Sequence, residues 1–228
     1  MKYRVEQKYI ITEEKIAYLQ YKLENVMKYD KHADNGQYRI RSLYFDDMYD
    51  SCLDDNDSGN DFREKYRIRT YNNDKYKIHL EMKTKERGYT GKMKEELGLE
   101  ECLTYLERKD MVLKETDGLV KRKLYALMLT MRMQPVQIVE YDRIPFVEEK
   151  GNVRVTFDRN IVGCDNVKSF FEDCLPAVPL LPTGQHILEV KYDEFIPDYI
   201  KQILNEVHLH KTAFSKYYYA RKNPNIYG

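Results

Sequence analysis

Apolar and polar residues alternate with a period of two along several short segments of this chain, and shift to a helical spacing in others. Residues 3–11 alternate and predict a first strand with Glu6 and Lys8 on one face. Thr12 then stands as N-cap to a helix over 13–28, whose apolar stripe is Ile16, Leu19, Leu23 and Val26. An Asn35-Gly36 turn precedes a strand over 38–46, and strands over 63–71 and 75–87 flank the hairpin signal Asn72-Asn73-Asp74. The glycine-bearing turn Arg87–Gly91 leads into a short strand carrying Lys92 and Lys94. Helices follow over 99–108 and 117–133, with Leu119, Leu124, Leu127 and Met131 as core positions. Strands over 136–147 and 152–159 pair across Lys150-Gly151-Asn152, and the proline-bearing stretch 160–184 reads as loop. A last strand, 186–193, passes Pro197, suited to a helix first turn, into a helix over 198–207.

About seven or eight antiparallel strands with helices between them define an α+β chain, and the strands suggest a closed barrel with helices packed outside. Closure removes the edges that such long charged strands would expose. With 228 residues, no internal repeat and no composition break, residues 1–228 read as one domain.

Lysine plus arginine equals aspartate plus glutamate, 38 of each, so bulk charge gives no reason to expect nucleic-acid or anionic-membrane binding. No apolar run approaches a membrane span, and the N-terminus lacks the apolar core of a signal peptide. Cys52, Cys102, Cys164 and Cys174 form no CxxC pair and read as reduced thiols of a cytoplasmic protein. His208 and His210 have no third metal ligand nearby in sequence, and the acidic run Asp54–Asp61 lacks the closing glutamate of a calcium loop and reads as a solvated loop or helix end. The 21 tyrosines suit strands facing a polar space, where the ring packs and the hydroxyl stays hydrogen-bonded.

The distinctive signal is the placement of charge. Lys65, Arg67 and Arg69 fall on alternate positions of one strand, as do Glu81, Lys83 and Lys85, then Lys92 and Lys94, Tyr141 and Arg143, Arg154 and Asp158, and Glu189 and Lys191. One such segment is an ordinary wet sheet face. Five or six, in repeated order and rich in arginine, describe a charged interior. Two unit charges about 4 Å apart repel by roughly 4 kcal/mol at an effective dielectric near 20, so acids or a polyanion must offset the cations. Arginine offers a bidentate fork for phosphate and lysine a mobile point charge. Interspersed Glu6, Glu81 and Glu189 suit a hard divalent ion, completing the elements of phosphoryl transfer.

The ordered set Glu6-x-Lys8, Arg67-x-Arg69, Glu81-x-Lys83-x-Lys85, Tyr141-x-Arg143, Arg154-Val-Thr-Phe-Asp158-Arg159, Glu189-x-Lys191 and Ser215-Lys216-Tyr217 resembles the VTC-type polyphosphate polymerase domain of the CYTH-like triphosphate tunnel metalloenzyme superfamily. The resemblance runs from about residue 3 to 219. It implies an eight-stranded antiparallel β-barrel, a tunnel with a polar, basic interior. It also implies transfer of the ATP γ-phosphate to inorganic polyphosphate, with Mn²⁺ or Mg²⁺ as cofactor and release of ADP. By position it makes Arg67, Arg69, Lys83, Arg143 and Arg154 the catalytic cations. Lys8, Lys85, Lys92, Tyr141, Lys191, Ser215 and Lys216 would bind phosphate; Glu189, with Glu81 and Glu6, would bind metal. A basic residue often found before Phe-Ser-Lys is Ala213 here. The alternatives are a tripolyphosphatase or nucleoside triphosphatase of the same fold, and a non-catalytic polyphosphate or inositol-phosphate binder. Hydrolases and cyclases of the superfamily carry ExExK on the first strand, where this chain has Arg4-Val5-Glu6-Gln7-Lys8, which favours the polymerase. Any membrane protein partner would be a separate chain.

Overall fold

A computed structural model describes residues 4–58, 60–87, 89–107 and 112–222. Tyr3, Gly59, Gly88 and Arg108, which belong to segments read from the sequence, lie outside them. In chain order the elements are β1 (Val5–Thr12), α1 (Glu13–Leu23), β2 (Lys28–Tyr29), β3 (Tyr38–Asp46), α2 (Ser51–Asp57), β4 (Phe62–Tyr71), β5 (Ile78–Glu86) and β6 (Tyr89–Leu97). There follow α3 (Leu99–Glu107), α4 (Leu119–Met131), β7 (Gln134–Glu148), β8 (Val153–Cys164), β9 (Val178–Pro179), β10 (Gln185–Tyr192), α5 (Asp198–Asn205), β11 (His210–Lys211) and α6 (Lys216–Lys222).

All strands join one antiparallel sheet in the order β11-β1-β10-β8-β7-β3-β4-β5-β6, with β2 added to β7 and β9 to β8. Eight of them, β1, β3 to β8 and β10, have eight or more residues; β2, β9 and β11 have two each. The sheet curves until β6 and β1 meet, but no ladder closes this seam among the described residues. A single backbone bridge, Arg4 to Thr90, and the ion pair of Lys83 with Glu6 cross it.

Cross-strand partners share a face, so register identifies the lining. Lys8 opposes Glu189, Glu189 opposes Thr156, Arg143 opposes both Asp158 and Tyr38, Ser42 opposes Arg69, and Arg67 opposes Glu81. The alternate residues point outward and bury under helices. Ile11, Phe146, Val155, Phe157, Leu188 and Val190 pack with Ile16, Leu19 and Leu23 of α1 and Ile200 and Ile203 of α5. Leu43, Phe45, Ile68, Leu80 and Ile138 pack with Cys102 and Tyr105 of α3 and Val120 and Leu124 of α4. Each such side chain contributes about 1.5–3 kcal/mol on burial. The wall is thus stabilised from outside, which leaves its inner face free for charge.

Several predicted features differ. Helix α1 stops at Leu23, and Thr12 makes no side-chain cap bond. Pro197 is the N-cap of α5 instead of lying in its first turn. The stretch read as loop contains the end of β8, a 3₁₀ turn at Val167–Phe171 and β9. Part of the acidic run is helical in α2, beginning at Ser51. Lys216 and Tyr217 of the last motif begin a helix, α6, which packs against β7 and β8.

Candidate active site

Two linked ion networks fill the interior. In the first, Arg67 donates from Nε and Nη2 to Glu81 at 2.9 and 2.7 Å, and from Nη1 to the Tyr44 hydroxyl at 3.2 Å. Lys92 Nζ reaches the other Glu81 oxygen at 2.9 Å, and Arg69 Nη1 lies 3.8 Å from the carboxylate. Arg69 also donates to Ser42 Oγ at 3.0 Å and to the Tyr141 hydroxyl at 3.3 Å.

The second network centres on Asp158, which is fully buried and takes both arms of Arg143 at 2.6 and 2.7 Å and Lys216 Nζ at 2.6 Å. Arg143 continues to Glu189 at 3.3 Å. Glu189 lies 3.0 Å from Lys191 and 4.0 Å from Lys8, while Glu6 lies 3.2 Å from Lys8, 3.1 Å from Lys83 and 3.6 Å from Lys191. Tyr141 joins the two networks. Arg143 and Lys216 lie over its ring, 5.3 and 4.6 Å from the centroid, while its hydroxyl receives Arg69.

These contacts set the protonation states. Burial opposes ionisation of Glu81, but Arg67, Arg69 and Lys92 outweigh it and hold the carboxyl well below its ordinary range. Glu189 is held down the same way by Lys191, Lys8 and Arg143, and Asp158 by Arg143 and Lys216. Burial lowers the Lys8 ammonium, yet Glu189 and Glu6 reverse the effect and raise it. Lys83 goes the other way: burial, with Lys8 and Lys191 close by, exceeds the help from Glu6 and brings it to about 8. The Tyr44 hydroxyl, despite burial, is drawn down to about 8 by Arg67, Arg69 and Lys216.

Of the residues singled out in the sequence, Lys8, Arg67, Arg69, Lys83, Lys92, Tyr141, Arg143, Lys191, Lys216, Glu6, Glu81 and Glu189 meet in these networks. Three stand apart. Arg154 is paired with Asp30, Lys85 is exposed at the rim, and Ser215 Oγ accepts from the Tyr218 backbone at 3.4 Å as α6 begins. The three glutamates do not form one cluster, and the described residues contain no group of three or more histidine, cysteine or acidic side chains able to hold a metal. Glu81 is engaged by Arg67 and Lys92, whereas Glu6 and Glu189 are neighbours that share Lys8 and Lys191. Two adjacent ionised carboxylates suit Mg²⁺ or Mn²⁺ when phosphate oxygens and water complete the shell. Ser42 and Tyr44 were not among the sequence candidates, and Thr156 and Asp158 stood in the charged motif without an assigned role. The inward parity of β3 and the Arg154-x-Thr156-x-Asp158 spacing are the signals that point to them.

An antiparallel wall curved around a buried, arginine- and lysine-rich interior is a tunnel-type β fold. The VTC domain model matches residues 3–223, and the chain belongs to the VTC domain family. No curated protein matches the sequence. Among solved structures, the chain is similar to a candidate adenylate cyclase of Bacillus halodurans, at 14% identity and TM-score 0.53, over 90% of this chain and 87% of that one. It is also similar to a candidate adenylate cyclase of Vibrio parahaemolyticus, at 9% identity and TM-score 0.52, over 96% and 98% of the two chains. A protein of Pyrococcus horikoshii OT3 aligns at 14% identity and TM-score 0.50, over 98% and 99%. These likenesses establish a common fold. No helix among the described residues is long and apolar enough to cross a membrane.

Proposed function

We propose that this protein is a metal-dependent polyphosphate polymerase that transfers the γ-phosphate of ATP to an inorganic polyphosphate chain and releases ADP. The observation that carries this reading is the charge imbalance of the interior. Eight cations (Lys8, Arg67, Arg69, Lys83, Lys92, Arg143, Lys191 and Lys216) face four carboxylates (Glu6, Glu81, Asp158 and Glu189) in linked networks. Such an excess calls for a bound polyanion to offset the repulsion, and phosphate oxygens match the arginine forks. Membership of the VTC domain family supports the choice of polyphosphate.

In this reading a terminal phosphate oxygen of the acceptor chain attacks the γ-phosphorus. The new P–O bond forms as the bond to the β–γ bridging oxygen breaks, and ADP leaves with that electron pair. The nucleophile is already anionic, so no strong general base is required. What must be overcome is the repulsion between two polyanions, and Arg67, Arg69 and Arg143 supply fixed donors to phosphate oxygens while Lys8 and Lys83 supply compensating charge. Tyr44, Ser42 and Tyr141 hold the guanidinium groups in place. A Mg²⁺ or Mn²⁺ ion held by Glu189 and Glu6 would neutralise charge on the leaving oxygens.

Incubation of purified protein with ATP and Mn²⁺, resolved on a urea gel, tests this. Long chains accompanied by ADP are expected. Release of free phosphate alone would assign the hydrolase instead, and unchanged ATP would leave a binding protein.

A further inference from the structure

Three aromatic side chains stand in a row on the inner face beside the phosphate-binding cations. Tyr38 opens β3, Tyr71 ends β4, and His79 is the second residue of β5. Register turns all three inward, since Tyr38 opposes Arg143, Tyr71 opposes Ile40 and His79 opposes Arg69. The Tyr38 and Tyr71 rings meet edge to face with centroids 5.6 Å apart, and Tyr71 meets His79 at 6.4 Å. Tyr38 is buried, while Tyr71 and His79 are half-buried at the ends of their strands. His79 Nδ1 is buried without a hydrogen-bond partner among the described residues. Burial and Lys94 hold this imidazole below its ordinary value, so it is neutral near pH 7 and can offer or receive one hydrogen bond.

The opposite ends of β4, β5 and β6 look different. There the same face carries Arg63, Lys65, Lys83, Lys85 and Lys92 in cross-strand register. The inner face therefore carries an aromatic rim, with buried Ile40 and Val139 beside it, on one side of the Arg67–Arg69–Glu81 network and a cationic rim on the other. Tyr71 is two residues beyond Arg69, about 7 Å along an extended strand. That is the scale on which a nucleoside base stands away from its phosphates.

We infer that Tyr38, Tyr71 and His79 form a nucleobase-stacking site that seats the nucleoside of the phosphate donor, and that the acceptor chain occupies the cationic rim. This inference rests on the nucleotide-dependent reading above and adds the orientation of the two substrates. Stacking on aromatic rings is tolerant of base identity, so ATP and GTP are bound with similar affinity.

Calorimetric titration of ATP, GTP and inorganic tripolyphosphate into the wild type and into the Tyr71→Leu, Tyr71→Phe and His79→Leu variants tests it. Tyr71→Leu should weaken ATP and GTP about tenfold and leave tripolyphosphate unchanged, while Tyr71→Phe keeps the wild-type affinity for all three. His79→Leu should likewise weaken the nucleotides selectively. Equal loss for tripolyphosphate and ATP, or no loss for ATP, overturns the inference and leaves the phosphate-tunnel reading standing. A wild type that binds none of the three removes that reading, and this inference falls with it.

Discussion

Replacing Glu81 by glutamine changes one atom in kind and removes the negative charge that Arg67, Arg69 and Lys92 share. The side chain is 2% exposed, so its cations lose a buried counter-ion with almost no water to replace it. Breaking a buried pair costs about 3–5 kcal/mol. The amide oxygen still accepts from Arg67, and Arg69 keeps Ser42 and Tyr141, which places the loss near the lower end, about 3 kcal/mol. For a chain of this size that is a fall in Tm of about 6–12 °C. Because the folded-state pKa of Glu81 is depressed, the carboxylate's contribution is present above its unfolded value of about 4.3 and is lost as pH falls below it. The gap between the two proteins should therefore be widest at neutral pH and narrow in acid. Anion binding should move oppositely, since the carboxylate competes with phosphate for the same donors. Removing a charge a few ångströms from the ligand should tighten tripolyphosphate binding at least about tenfold. Differential scanning calorimetry with and without tripolyphosphate, in EDTA, reads both effects. A variant as stable as the wild type, or one that binds tripolyphosphate more weakly in EDTA, would refute the view that Glu81 stands in for a phosphate.

Three further outcomes are expected. Lys83, with a folded value near 8, should lose its charge between pH 7 and 9. Tripolyphosphate affinity should therefore fall over that range, and Lys83→Arg should flatten the profile. Since that pKa lies below its unfolded value, the same group makes the free protein more stable as pH rises from about 8 towards 10.5, measurable by denaturant titration. Arg69→Ala should lower turnover about 10²–10³-fold with the circular dichroism spectrum unchanged, because it is the donor that ties Ser42 and Tyr141 to the network. Phe157→Ala, a deletion under α1 and α5 on the far side of the same strand as Asp158, should cost about 3–5 kcal/mol in urea unfolding. It should leave tripolyphosphate affinity within twofold under folded conditions.

The strand alternation was readable because the wall is dry outside and charged inside, which keeps the period of two sharp in β1, β4, β5 and β10. Alternation alone does not say which face turns inward. On β3 the basic residues Arg39 and Arg41 face outward, to Asp142 and Glu140, and the inner face carries Ser42 and Tyr44 instead. Only pairing with β4 and β7 decides this, and pairing is non-local. Asp158 was visible as a charge in register with Arg154, but its role as the counter-ion of Arg143 and Lys216 needs a third strand and a helix from the far end of the chain. The separation of Glu81 from Glu6 and Glu189 was hidden for the same reason. All three occupy equivalent inward positions, and curvature of the sheet determines which of them meet. No helix was read over residues 216–222, because a short helix carrying three consecutive tyrosines has little pattern until it is packed against β7 and β8.

The junction of β6 with β1 gives the wall an uneven strength. Among the described residues, separating any other pair of long neighbouring strands breaks five or more register pairs, whereas opening this seam breaks one β6–β1 bridge and the ion pair of Lys83 on β5 with Glu6. The cylinder is, in mechanical terms, a rolled ribbon with a lightly fastened lap. Among the described residues, that lap is the one place where the wall can open with every ladder intact.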